Sequence, residues 1–272
     1  MATKIDKQSA VELLRGEFLA LGQLGSDLSE GQWATATCLP GWTVRDVVAH
    51  VIGTESMLCG EPTPDVDVSH LTHMKNPIAV ANEAWVESMR QLSTDELLAR
   101  FEHVTGRRLS ALDAMTQADF DAPSWTPAGK DETYGRFMRI RHYDLYLHEH
   151  DIRFAIGVPL RPAVPDIQSS LDEVATGLGY IVGRKAGMPD GERVQIDLTG
   201  ELVKSYLVQV EGRAVVVDSL DGDPTVQVAM PVMLFLRLTG GRNDKSAALD
   251  EIVYQGDGAL GRLLVENLAF TI

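Results

Sequence analysis

The sequence predicts an α+β protein in two parts, a four-helix bundle over residues 1–160 and a smaller α+β domain over 161–272. Three observations predict it. Apolar residues recur at helical spacing through the first 157 residues. Arg161-Pro162-Ala163-Val164-Pro165 then reads as a linker. Beyond it, short segments alternate apolar and polar residues, the period of half-buried strands.

The elements follow in order. Val11, Leu14, Phe18, Leu21 and Leu24 form one apolar stripe, so 8–25 is a helix. Residues 26–42 are turn-rich and end in Leu39-Pro40-Gly41-Trp42. Thr43 with Asp46 three residues on resembles a capping box, opening a helix with Val44, Val47, Val48 and Val51 on its core side and His50 nearby. A Pro- and Asp-rich loop covers 60–75. Asn76-Pro77 is a cap followed by an N1 proline, and Ser93 with Glu96 is a second capping box. Residues 77–91 and 94–116 are therefore one broken helix or two. A loop over 119–131 precedes a helix of about 133–156, which stops near Gly157-Val158-Pro159. Four long helices with one long crossover predict a bundle, a fold that builds metal sites from inward-facing side chains.

After the linker, 166–187 reads as a helix. Strands follow at 194–198, 205–210, 214–217 and 225–228, with Glu211-Gly212 turning a hairpin between the second and third. Residues 230–239 and 258–268 read as helices, and 252–255 as a short strand.

Composition narrows the function. A net charge of −15 and the lack of a basic tract argue against nucleic acid and anionic membranes as partners. No apolar run approaches the ~20 residues of a membrane span. Cys38 and Cys59 make no disulfide framework or zinc-finger spacing, and each reads as a small buried hydrophobe. The polar N-terminal residues lack a signal core, so a cytoplasmic location is expected.

The chemistry concentrates in 142–151, where three histidines and three acids share one helix. Asp144 and His148 are four apart and lie on one face, able to grip one ion together. A third ligand must come from elsewhere, and His50 is the best candidate. Two imidazoles and a carboxylate leave coordination positions open, as catalytic metal sites do. Asp151, three residues after His148, either orients that ring through its far nitrogen or pairs with an arginine. Glu149 and His150 point to other faces and read as supporting or surface residues. His142 reads as structural, Trp42 as bundle-edge packing, and the loop histidines His70 and His73 as solvated. The glycines at 240, 241, 256 and 258 lack the strand-to-helix context of a phosphate loop.

Three stretches carry a family resemblance. They are Leu39-Pro40-Gly41-Trp42-Thr43-Val44-Arg45-Asp46-Val47-Val48-Ala49-His50, the run from Asp144 through His148 to Arg153 with Ala155 and Gly157, and the run from Asp223-Pro224-Thr225-Val226 to Gly240-Gly241-Arg242. Together they resemble the mycothiol-dependent maleylpyruvate isomerase family, within the DinB/YfiT-like superfamily of metal-binding bundles, whose C-terminal domain is similar to sterol carrier proteins. The resemblance implies that His50, Asp144 and His148 hold a divalent ion, usually zinc, with mycothiol or a similar thiol as cosubstrate. The isomerase has a glutamate where this chain has the shorter Asp144, which bears on substrate more than on metal.

The expected activity is that of a metal-dependent isomerase or S-transferase acting on a thiol and an electrophilic small molecule. A metal would favour the thiolate, the nucleophilic form. Arg242, at the Gly240-Gly241-Arg242 turn, and Arg153 are the candidate anchors for acidic groups. No further catalytic residue is assigned. A hydrolase using metal-bound water and a non-enzymatic lipid-binding protein are the alternatives. Either a monomer or a homodimer is compatible with the sequence.

Overall fold

The computed structural model describes residues 2–72, 74–242 and 249–271. His73 and residues 243–248 lie outside them. The chain divides into two compact units, Met1–Leu160 and Arg161–Ile272.

The first unit is helical. In chain order it holds α1 (Lys7–Ser26), α2 (Glu30–Trp33), α3 (Val44–Leu58), α4 (Pro77–Met89), α5 (Thr94–Ala114) and α6 (Gln117–Phe120). The hairpin strands β1 (Pro123–Thr126) and β2 (Gly129–Thr133) follow, then α7 (Tyr134–Ala155). Contacts of α1 with α7, α7 with α3, α3 with α5 and α5 with α1 close a four-helix ring. Its core is the predicted stripe Val11, Leu14, Phe18 and Leu21 against Val44, Val47, Val48, Val51, Leu97, Phe101 and Leu145. Residues 77–116 form two helices, and of these only α5 belongs to the ring; α4 lies on the outside against α3.

Two departures from the sequence reading occur here. The predicted loop of 119–131 holds the end of α6 and most of an antiparallel hairpin, with Pro123 paired to Thr133 and Thr126 to Gly129. The hairpin contains Pro and Gly, residues that mask strand character, and is held by Trp125 set edge-on against Phe137 at 6.3 Å. The short helices α2 and α6 were also missed. Each is a single turn closed by its own capping box, Ser29 with Gln32 and Thr116 with Asp119.

The second unit is α+β. It holds α8 (Val164–Tyr180), which widens into a π-helical turn at Ile181–Lys185, then β3 (Arg193–Thr199), β4 (Lys204–Glu211) and β5 (Arg213–Val217). β6 (Val226–Pro231), α9 (Val232–Thr239), β7 (Val253–Gly256) and α10 (Gly258–Glu266) complete it. The sheet order is β5-β4-β3-β6-β7, antiparallel except for β3 beside β6. Val194, Ile196 and Leu198 alternate inward with Tyr206, Val208 and Val210, so one face is buried and the period is two. The helix expected from 230 starts at Val232, because Met230 still pairs with Leu198 in the ladder.

Candidate metal centre

The centre is built by α3, α7 and the turn before α3. Leu39-Pro40-Gly41-Trp42 is a tight turn: Trp42 N–H donates to the Leu39 carbonyl at 3.1 Å, and Gly41 has φ +80°. Proline second and a positive-φ glycine third are the requirements of a type II turn. Asp46 then caps α3 by accepting from Thr43 N–H at 2.8 Å and Thr43 Oγ1 at 2.7 Å. Arg90, at the C-terminal cap of α4, adds an ion pair to the same buried carboxylate at 3.3 Å. These contacts fix where α3 begins and hence where His50, on its second turn, faces α7.

His50, Asp144 and His148 come together. One ligand atom from each lies within 4.8 Å of the others. His50 Nε2 is 3.5 Å from Asp144 Oδ2, and His148 Nε2 is 3.4 Å from Asp144 Oδ1. Donors about 2.0–2.2 Å from a tetrahedral zinc sit roughly 3.3–3.6 Å from one another, and the two distances from Asp144 fall in that range. Both imidazoles are buried, whereas the Asp144 side chain keeps 36% exposure and marks the open side.

The electrostatics favour the ligand forms of His50 and Asp144. Burial holds the His50 pKa below its ordinary 6.5, outweighing the pull of Asp144, so the ring is neutral near pH 7. Burial pushes Asp144 up, but His148 and Arg141, with hydrogen bonds from His148 and His50, hold it well below the usual carboxylate range. His148 Nδ1 meets Asp151 Oδ2 at 3.2 Å, which leaves Nε2 for the cluster. His50 is held differently. Its Nδ1 finds no hydrogen-bond partner among the described residues, and its ring packs 5.1 Å from Trp42.

Several neighbours depart from their sequence reading. Trp42 is no mere edge residue: it stands beside both imidazoles, 6.2 Å from the His148 ring, and its indole N–H donates to buried Glu83 at 2.6 Å. Cys38 belongs to the polar net rather than to an apolar core, with its Sγ 3.3 Å from Asp151 Oδ1. Glu149 and His150 are fully buried, not at the surface; His150 Nδ1 bonds the Tyr146 carbonyl at 2.7 Å. His142 is buried and stacked on Tyr146. His70 is exposed.

The anchor candidates are engaged in other contacts. Arg153 Nε pairs with Glu149 at 2.7 Å, within α7. Arg242, in the second unit, is buried and donates from Nη1 to the Gly240 carbonyl at 2.6 Å. Glu55 and Arg141 were missed by sequence reasoning. Glu55 accepts from Arg141 Nη2 at 2.7 Å and from Arg108 Nε at 3.2 Å, and Arg141 Nη1 reaches Asp144 Oδ2 at 2.5 Å. The three-residue spacing of Arg141 and Asp144 on one helix was the available signal.

Fold and site together define a helix-bundle protein with a buried two-histidine, one-carboxylate cluster open on one side. The chain belongs to the mycothiol maleylpyruvate isomerase N-terminal domain family, whose model matches residues 14–153, just over half its length. Uncharacterized proteins of Mycobacterium tuberculosis strains H37Rv and CDC 1551 / Oshkosh are each 27% identical over 158 residues, 57% of this chain and 59% of theirs. The chain thus matches less than two thirds of those relatives' length. Among solved structures, it resembles the mycothiol-dependent maleylpyruvate isomerase at a TM-score of 0.60 and 18% identity, covering 93% of this chain and 95% of that one. A histidine-to-alanine mutant of that enzyme gives the same TM-score and coverage at 17% identity. At such identity the likeness speaks for the fold alone. Among the described residues no helix is long and apolar enough to cross a membrane.

Proposed function

We propose that this protein is a divalent-metal-dependent enzyme that uses a low-molecular-weight thiol, mycothiol or a close analogue, to isomerise or conjugate an electrophilic small molecule. The single observation that carries the reading is the meeting of His50, Asp144 and His148 at ligand spacing in a chain of this family. Two imidazoles and one carboxylate suit zinc. Bound there, zinc would supply Lewis-acid chemistry that favours a thiolate over a thiol near neutral pH.

The chain's own residues do the rest. Asp151 holds the His148 ring with Nε2 facing the cluster. Trp42, fixed by Glu83, walls the two imidazoles on one side and excludes water there. Asp144 sits at the exposed edge, the side from which a small molecule would enter. Arg153 serves its ion pair with Glu149.

The test is elemental analysis of the purified protein beside His50→Ala and His148→Ala variants, followed by turnover assays. About one divalent ion per chain, lost in both variants, with maleylpyruvate isomerisation or conjugation of an electrophile that requires added thiol, is expected. Metal with thiol-independent ester or amide cleavage would replace this reading by a hydrolase. No metal in the wild type after reconstitution with zinc would remove it.

A further inference from the structure

The second unit holds a cavity of about 440 Å³ where the end of α8 meets the turn between β4 and β5. Two arginines line it, Arg184 on the π-helical turn and Arg213 at the start of β5, with Tyr180 beside them. Tyr180 keeps 58% exposure, and both arginines are exposed. Buried Met188 and Val210 add apolar lining. None of these residues belongs to the metal cluster of the first unit.

Backbone packing fixes the walls. The end of α8 lies so close to β5 that a Cβ on Gly179 would stand 2.8 Å from the Ala214 carbonyl oxygen, and one on Gly183 2.9 Å from Ala214 Cβ. The helix then widens: Ala186 N–H donates to the Ile181 carbonyl, five residues back, at 2.8 Å. Such π turns are rare and recur at functional sites. The cations, in turn, stay unpaired. Arg15, Arg90 and Arg107 of the first unit each hold a carboxylate within 3.3 Å. Arg184 and Arg213 have no hydrogen bond or ion pair among the described residues, although the chain carries a net charge of −15. The carboxylates beside them are engaged. Asp190, which also lines the cavity, accepts from Gly212 N–H at 2.5 Å. Glu211, opposite Arg213 in the ladder, accepts from Gln209 Nε2 at 2.6 Å.

We propose that this cavity binds a small organic oxyanion, a phosphate or carboxylate on a flat apolar body, with Arg184 and Arg213 on the acid group and Tyr180 against the body. Guanidinium forks match the oxygens of either acid group. A flat ring gives the Tyr180 ring an offset-stacked partner, and the cavity is of small-molecule size. Two arginines against Asp190 leave the lining one net positive charge, which a single negative group neutralises. The inference is independent of the metal-site reading above.

The experiment uses the full chain, freed of metal by chelation and dialysis, with naphthyl phosphate as the fluorescent probe. One site per chain is expected. Arg184→Gln and Arg213→Gln should each weaken binding about tenfold or more, the worth of a hydrogen bond to a charged group. Tyr180→Ala should weaken it about threefold or more. All three side chains are exposed, so the variants should keep the wild-type urea midpoint. Displacement by inorganic phosphate rather than acetate supports a phosphate ester as the ligand, and the reverse supports a carboxylate. No binding at millimolar probe, or equal affinity in the wild type and both arginine variants, overturns the proposal. Adding zinc back should leave the affinity unchanged; binding that appears only with zinc belongs to the cluster of the first unit and overturns it as well.

Discussion

Replacing Gly53 by alanine tests how the fold sets the site. Gly53 faces α4, and a Cβ there would stand 2.4 Å from Trp85 Cβ and 2.6 Å from its Cγ. Carbon atoms rest about 3.5–4.0 Å apart, so the shortfall exceeds roughly 1 Å. Trp85 cannot relieve it by rotating, because Cβ moves only with the backbone; α4 must shift away from α3. In a free helix the change would gain about 1 kcal/mol of helix propensity. Overpacking a close helix contact costs about 1–3 kcal/mol, more when backbone must move. The expected net effect is a loss of about 1–2 kcal/mol, a fall in melting temperature of roughly 2–8 °C. The assay is urea unfolding followed by tryptophan fluorescence. All four tryptophans, Trp33, Trp42, Trp85 and Trp125, lie in the first unit, so the signal reports the bundle alone. His50 precedes Gly53 by one helical turn, so zinc affinity should weaken along with stability. A midpoint equal to or above that of the wild type would refute the reasoning.

Further predictions concern the cluster. Asp151→Asn keeps shape but removes the charge that holds His148; zinc affinity should fall about 10–100-fold in competition with a chromophoric chelator. An unchanged affinity would mean that packing alone holds the ring. In the metal-free protein, His50 has a folded pKa below its ordinary 6.5, so the unfolded state binds the proton more readily. The stability its neutral form contributes is complete above pH 6.5 and is lost as pH falls through the lower folded value. Urea midpoints between pH 7.5 and 5 should therefore decline, and His50→Gln should flatten that decline. Zinc should flatten it too while it stays bound.

The helical half was legible because its signals are local. The stripe on α1, the Asn76-Pro77 start and the Ser93 capping box are each decided within a few residues. The hairpin over 123–133 was not, because Trp125 packs on Phe137 of α7, a contact between two elements that no local pattern shows. His50, Asp144 and His148 were found by spacing on one helix and a flanking pattern on another. Trp42 was underrated because a lone tryptophan after a turn gives no hint of Glu83, 41 residues on, which binds its indole.

The Glu55–Arg141 pair shows why packing carries information that spacing does not. α3 and α7 meet in opposite order: Glu55, late on α3, pairs with Arg141, early on α7, while His50 pairs with Asp144 and lies beside His148. One helix register therefore makes both the ion pair and the ligand cluster. A slip of α7 by a turn would leave Glu55 and Arg141 buried without each other, a cost of about 3–5 kcal/mol for a broken buried pair. The register that keeps two buried charges satisfied is the same one that assembles the metal ligands, so the polar pair fixes the site geometry before any ion is present.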